Sequence, residues 1–321
     1  MALISVIIPV YNKAPWLAAC LQSILLSAGD ALEQLEIILV DDGSTDGSGE
    51  ICRDYARRYP QIQLLEKPNG GVASARNRGL SRATGEYVAW VDPDDLVDPE
   101  WFPALWETIK THNPDVIVMD TLRFGMGEES PMCYGRPAGV VSPEIFLADV
   151  ARDKRILGGM PDKVIRRHFF EGLRFDENLP ILEDFDLILQ VLQPVRKVYY
   201  INRPLYRYRQ LEESLVHQVS EERAYLSVQV AMKRQRSVPE ALQKPATVAV
   251  ALQILAFFWN RSRFPGAFCH REYGRACRKF LRRHMAVILK DKELTFSEKT
   301  MLLLMSCGGY EAVAFVKKFL G

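Results

Sequence analysis

Three carboxylates in four residues, Asp92-Pro93-Asp94-Asp95, close the apolar run Tyr87-Val88-Ala89-Trp90-Val91. Like charges a few ångströms apart oppose one another's ionisation, so this patch at a strand end is costly unless a cation sits in it. A divalent metal is the chemistry these residues predict. Other polar groups stand at comparable places. One apolar run ends in Pro9-Val10-Tyr11-Asn12, a second in Asp41-Asp42-Gly43-Ser44, and a third leads to Asn69-Gly70-Gly71. Tyr11 offers a ring face on which a base can stack, and Asp41 or Asp42 can accept from an imide N–H such as that of uracil. Arg76 and Arg78 follow the Gly-Gly turn and can approach phosphate or a partner carboxylate.

The elements that must carry these residues follow from the pattern. The first 120 residues alternate β-rich apolar runs with helical stretches, which predicts βαβ units and a mostly parallel sheet, with ligands outside the carboxyl ends of the strands. Strands are expected at 3–8, 35–40, 62–66, 87–91 and 116–119. The first helix starts near Pro15, turns Leu17, Cys20, Leu21, Ile24 and Leu25 to one face, and stops at Gly29. Gly43-Ser44-Thr45-Asp46 caps a second helix that runs to Tyr59, a third follows Gly71, and a fourth runs from Pro99 to His112. Residues 125–139, rich in Gly, Pro, Glu and Ser, predict a loop. Another helix starts at Ser142-Pro143-Glu144, residues 158–166 suggest an irregular turn into a short helix, and 198–209 have strand character; from Glu221 onward the pattern is helical.

Composition sets outer bounds. The 321 residues are 48% hydrophobic and 25% charged with a net charge of +1, so the chain as a whole is no nucleic-acid binder. Charge is nonetheless uneven: residues 261–321 hold 13 Lys and Arg against 5 Asp and Glu, leaving 28 against 35 in the first 260. Aromatic residues such as Phe257, Phe258, Trp259 and Phe264 mix with Arg261 and Arg263 at the start of that segment. It suits either an interfacial patch facing anionic lipid or a helical lid with a solvated basic face. Six scattered cysteines without a CxxC pair fit free thiols in a reducing compartment. The apolar start stops at Pro9, too short for a signal peptide or spanning helix, so a cytoplasmic or peripheral protein is expected.

No GxGxxG follows the first strand and no GxxxxGK[ST] occurs, which weakens dinucleotide-binding and P-loop alternatives. Four ordered blocks carry a more specific likeness. ISVIIPVYNKAPWLAACLQSIL, IILVDDGSTDGS and NGGVASARNRGLSRATGEYVAW with its closing VDPDD resemble the N-terminal half of a family 2 glycosyltransferase with the GT-A fold. The resemblance implies an α/β GT-A domain over residues 1–218, divided into a nucleotide-sugar half (1–120) and an acceptor half (121–218), with a helical C-terminal region over 219–321.

It further implies an inverting transferase that moves a sugar from a nucleotide-diphosphate donor, a UDP-sugar by expectation, to a saccharide or lipid-linked acceptor in surface polysaccharide assembly. Mn²⁺ or Mg²⁺ would be held by Asp92 and Asp94, with His217 as a further ligand. Nucleotide contacts map to Pro9, Tyr11, Asn12, Asp41, Asp42, Arg76, Asp92, Pro93 and Asp94. Pro93 departs from the small polar residue more usual there. The segment RFDENLPILEDFDL resembles the region that carries the family's base, placing Asp184 in that role with Glu183 beside it. Asp95, Tyr206 and Tyr208 would lie on the acceptor side. Two alternatives stay open: a non-catalytic domain that binds sugar nucleotides, and a sugar-phosphate nucleotidyltransferase, although the latter's glycine-rich loop after the first strand is missing.

Overall fold

The computed structural model describes residues 2–154, 158–211, 220–259 and 271–307. Four strands, β1 (Ile4–Val10), β2 (Leu35–Asp41), β3 (Ile62–Glu66) and β4 (Tyr87–Trp90), lie in the order β3-β2-β1-β4, all parallel. β1 is buried along its whole length. That is the expected state of a parallel strand covered on both faces, and it explains the unbroken apolar run. Helices α1 (Ala14–Ala28), α2 (Ser48–Arg58), α3 (Val72–Leu80) and α4 (Trp101–His112) occupy the intervals. Pro15 sits in the first turn of α1, and Gly29 ends the helix at φ 50°, a backbone region that favours glycine. Leu17, Cys20, Leu21 and Ile24 of α1 enter the core formed with β1, β2 and β4.

Beyond β4 the sheet departs from expectation in three places. Residues 158–162 form the expected irregular turn, but it leads into a strand instead of a helix: Lys163–Arg166 form β9, inserted antiparallel between β4 and β6 (Val116–Phe124). Only Val164-Ile165 carries a local strand signal, whereas a strand flanked on both sides satisfies its backbone groups twice over. The stretch 125–139 is not wholly loop. It contains β7 (Ser130–Met132), paired to β6, and leads into β8 (Gly139–Val141), paired to β10 (Val198–Arg209). Third, Leu96–Val97 make a two-residue strand, β5, antiparallel to β10 at Tyr206 and Arg207. The sheet therefore continues β4-β9-β6-β10-β5, with β6 and β10 parallel and the register of β10 broken around Pro204.

Contacts divide the chain into two compact units, residues 1–147 with 155–212, and 148–154 with 213–321. Helix α5 (Pro143–Arg152) begins in the first and ends in the second. α6 (Glu183–Leu192) belongs to the first. The second contains α7 (Glu221–Ser237), α8 (Glu240–Trp259), α9 (Arg271–Lys290) and α10 (Phe296–Ser306). α10 opens on a capping box between Thr295 and Glu298. Among the described residues, two segments are long and apolar enough by composition to cross a membrane, 14–34 and 240–259. The first contributes to the sheet core, and α8 buries residues on most sides, from Leu242 to Phe258.

Candidate active site

The carboxylate cluster forms where β4 ends. Its residues keep a two-residue alternation: Asp92 and Asp94 are partly exposed, while Pro93 and Asp95 are buried. Three contacts hold that alternation. The Tyr206 hydroxyl accepts from the Asp92 N–H (3.1 Å) and donates to Asp95 Oδ2 (2.6 Å), and Asp95 Oδ1 accepts from the Arg209 N–H (2.7 Å). β5 makes this possible, because it pairs the residues after Asp95 with β10. Burial and the neighbouring Asp92 charge push the Asp95 carboxyl well up, and burial raises the Tyr206 hydroxyl likewise. Asp95 and Tyr206, expected on the acceptor side, are buried and brace the turn after β4. Tyr208 is half-buried on the same strand.

Arg76 of α3 joins this strand end to the start of α6. Its guanidinium is buried, pairs with Glu183, and lies 3.3 Å from Asp92 Oδ1 and 3.7 Å from Asp184 Oδ2, with the Phe175 ring 5.7 Å away. Burial works against the arginine charge, but Glu183, Asp92 and Asp184 together raise its pKa above the ordinary value. Burial pushes Glu183 up to about 7 against the pull of Arg76, with Asp184 adding to the rise. The Asp92 side chain keeps 32% of its exposure, yet the cleft withdraws enough solvent to raise its pKa; Arg76 opposes that shift and Asp94 and Asp184 reinforce it. Glu183 and Asp184 differ in access: their side chains are 5% and 20% exposed. Glu183 is committed to Arg76, while Asp184 keeps more access to solvent. Leu182, immediately before them, adopts the left-handed φ of 66°, an uncommon state for a branched side chain and one that sequence does not disclose.

The turn that precedes β9 runs beside Asp184. A Cβ on Gly159 would lie 3.5 Å from Asp184 Oδ2. Lys163, fully buried on β9, donates to the Gly159 carbonyl (2.8 Å) and pairs with Asp162, whose carboxyl is raised by burial and by Asp184. Only the insertion of β9 brings these groups together.

On the nucleotide side the residues separate into one exposed ring and a buried frame. Tyr11 is 46% exposed at the end of β1. Asn12, at φ 51°, accepts from the Thr45 N–H (2.8 Å) and donates its own N–H to Ser44 Oγ (3.1 Å), tying the ends of β1 and β2 together. Asp41 accepts from the Ser44 N–H (3.0 Å). Asp42 accepts from the Gly70 and Gly71 N–H groups (3.0 and 2.8 Å) and pairs with Lys67, so it shapes the turn before α3 instead of standing free for a ligand. Pro9 and Pro93, also expected as nucleotide contacts, are buried. Asp94 pairs with Lys13 at 2.5 Å. Among the described residues no three His, Cys, Asp or Glu side chains converge as a metal cluster, and His217 lies outside the described residues.

A mixed sheet whose first four strands are parallel, a partly exposed pair of aspartates after the fourth strand and an acidic pair held on a buried arginine are the arrangement of a GT-A nucleotide-sugar fold. The model of the family described as Glycosyl transferase family 2 matches residues 5–154. Glycosyltransferase GlyG of Streptococcus pneumoniae is 31% identical over 229 residues, covering 67% of this chain and 73% of that protein. The chain belongs to glycosyltransferase family 2. The uncharacterized glycosyltransferase EpsJ of Bacillus subtilis is 32% identical over 218 residues, 66% of this chain, and the match spans only 62% of EpsJ. Among solved structures, residues 1–349 of Staphylococcus aureus TarS in complex with UDP-GlcNAc superpose with a TM-score of 0.75, covering 96% of this chain and 88% of that one. At 20% identity this is a likeness of fold.

Proposed function

We propose that the chain is an inverting, metal-dependent glycosyltransferase that moves a sugar from a UDP-sugar to a hydroxyl of a saccharide or lipid-linked acceptor in surface polysaccharide assembly. The observation that carries this is the Arg76 cluster, which ties the outward aspartate of β4 to Glu183-Asp184 within one set of ion pairs. A leaving group and an acceptor would meet on either side of that guanidinium. The donor class is supported by the UDP-GlcNAc complex of the TarS relative in fold.

Asp92 and Asp94 suit Mn²⁺ or Mg²⁺: both are hard oxygen donors facing the cleft, and such ions take most of their other ligands from water and phosphate oxygens. A bound ion would neutralise charge on the departing diphosphate. Tyr11 offers its ring to the base, with Asp41, Asp42 and Asn12 holding the loops around it. Asp184 takes the proton of the acceptor hydroxyl as that oxygen bonds to the anomeric carbon. The bond from that carbon to the diphosphate oxygen breaks, and the electron pair leaves with UDP. Glu183 keeps Arg76 in place.

The expected setting is the cytoplasmic face of a membrane. α9 supports peripheral contact, since Arg275, Lys279, Arg282, Arg283 and Lys290 are all exposed on it. The central assignment is tested with Asp184→Asn: UDP release from a panel of UDP-sugars should fall about 10²- to 10⁴-fold while UDP binding by calorimetry stays unchanged. Near-normal turnover would move the base elsewhere.

A further inference from the structure

Two side-chain cations stand on the two outward carboxylates of β4, and they differ in how firmly they are held. Arg76, on Asp92, is fixed by three carboxylates and is 4% exposed. Lys13, on Asp94, has a side chain 29% exposed, pairs with that carboxylate and lies 5.4 Å from the ring of Trp16. Its backbone is pinned, because its N–H donates to Ser48 Oγ (2.8 Å) and its carbonyl accepts from Trp16 and Leu17 at the start of α1. Only the flexible stem and its ammonium are free to move.

A divalent cation approaching Asp94 meets that ammonium first. The two cannot share the carboxylate at close range without like-charge repulsion, so loading requires Lys13 to leave. Held at residue 13, between the exposed Tyr11 ring and α1, the released ammonium stays beside the ring that the donor-site reading gives to the base. No carboxylate other than Asp94 pairs with it among the described residues. A diphosphate supplies the anion it would lack.

We infer that Lys13 is a diphosphate-binding residue of the donor site, and that before loading it occupies Asp94 in the place of the metal. The inference rests on the donor-site reading above and adds a linkage to it. Metal alone binds against the Lys13–Asp94 pair, whereas the diphosphate gives Lys13 a new partner. Each ligand therefore strengthens the other by the same factor.

Calorimetry on the full chain tests this with MnCl₂ alone and with UDP in the absence and presence of saturating Mn²⁺, for wild type, Lys13→Met, Lys13→Gln and Lys13→Arg. In both neutral variants Mn²⁺ alone should bind about fivefold tighter, because a partly exposed ion pair no longer competes. UDP in the presence of Mn²⁺ should bind about tenfold weaker, because a charged contact to phosphate is gone, and Lys13→Arg should restore it. A purely structural Lys13 would weaken both ligands alike. That result, or unchanged binding of both ligands, would overturn the inference while leaving the donor site intact. A wild type that binds neither Mn²⁺ nor UDP would overturn the donor-site reading together with it.

Discussion

Replacing Arg76 by Met tests whether the cleft is held together by one buried cation. The guanidinium is 4% exposed and serves Glu183, Asp92 and Asp184 at once, so its loss leaves a buried carboxylate and two cleft carboxylates without their shared countercharge. Removing one partner from a buried ion pair costs about 3–5 kcal/mol. For a unit of this size each kcal/mol lowers Tm by roughly 2–4 °C, so a fall of about 10 °C is expected. The loss should depend on pH. Burial already raises Glu183 to about 7 and raises Asp92, and without Arg76 both shift further up. The folded variant then binds protons that the unfolded chain has released, so its stability falls as pH rises. Calorimetric melts should show a deficit larger at pH 8 than at pH 5.5. Arg76→Met with Glu183→Gln should recover part of it, since a neutral pair replaces a broken ionic one. A deficit below about 1 kcal/mol that is equal at both pH values would mean the cluster is solvated, and the reasoning fails.

Two further outcomes follow from single groups. Glu183, with its folded pKa near 7 against 4.5 when exposed, disfavours folding progressively as pH rises through that window. Wild type should therefore lose about 2–3 kcal/mol relative to Glu183→Gln between pH 4.5 and 8, and a pH-independent difference in denaturant titrations would contradict the shift. Reversing the α9 charges with Arg275→Glu, Lys279→Glu and Arg283→Glu should abolish co-sedimentation with vesicles rich in phosphatidylglycerol; unchanged binding would remove α9 from the membrane surface.

Much of the first unit is legible in the chain because its signals are local. Pro15 and Gly29 bracket α1, Asp41-Asp42-Gly43 marks the end of β2, and strand β3 has the expected bounds, 62–66. β9, β7, β8 and β5 are not legible. Each is only two to four residues long and holds at most two strand-forming side chains in sequence, and each exists because a partner edge satisfies its backbone. The site shows the same division. Asp92, Asp94 and Arg76 can be picked out by type and pattern and Glu183 and Asp184 by the family resemblance, whereas Lys13, Lys67 and Lys163 look like ordinary lysines until their partners are visible.

Sequence alone determined the family, since the ordered blocks that carry the resemblance are local signals that read the same wherever the strands lie. It could not determine which carboxylate faces outward or which cation attends it. Those depend on pairing across long separations: Tyr206 with Asp95 at 111 residues, and Arg76 with Glu183 at 107. The two-residue alternation that exposes Asp92 and Asp94 and buries Asp95 holds because β10 is there to receive it. Access and charge compensation are properties of packing, so the tertiary structure alone decided them.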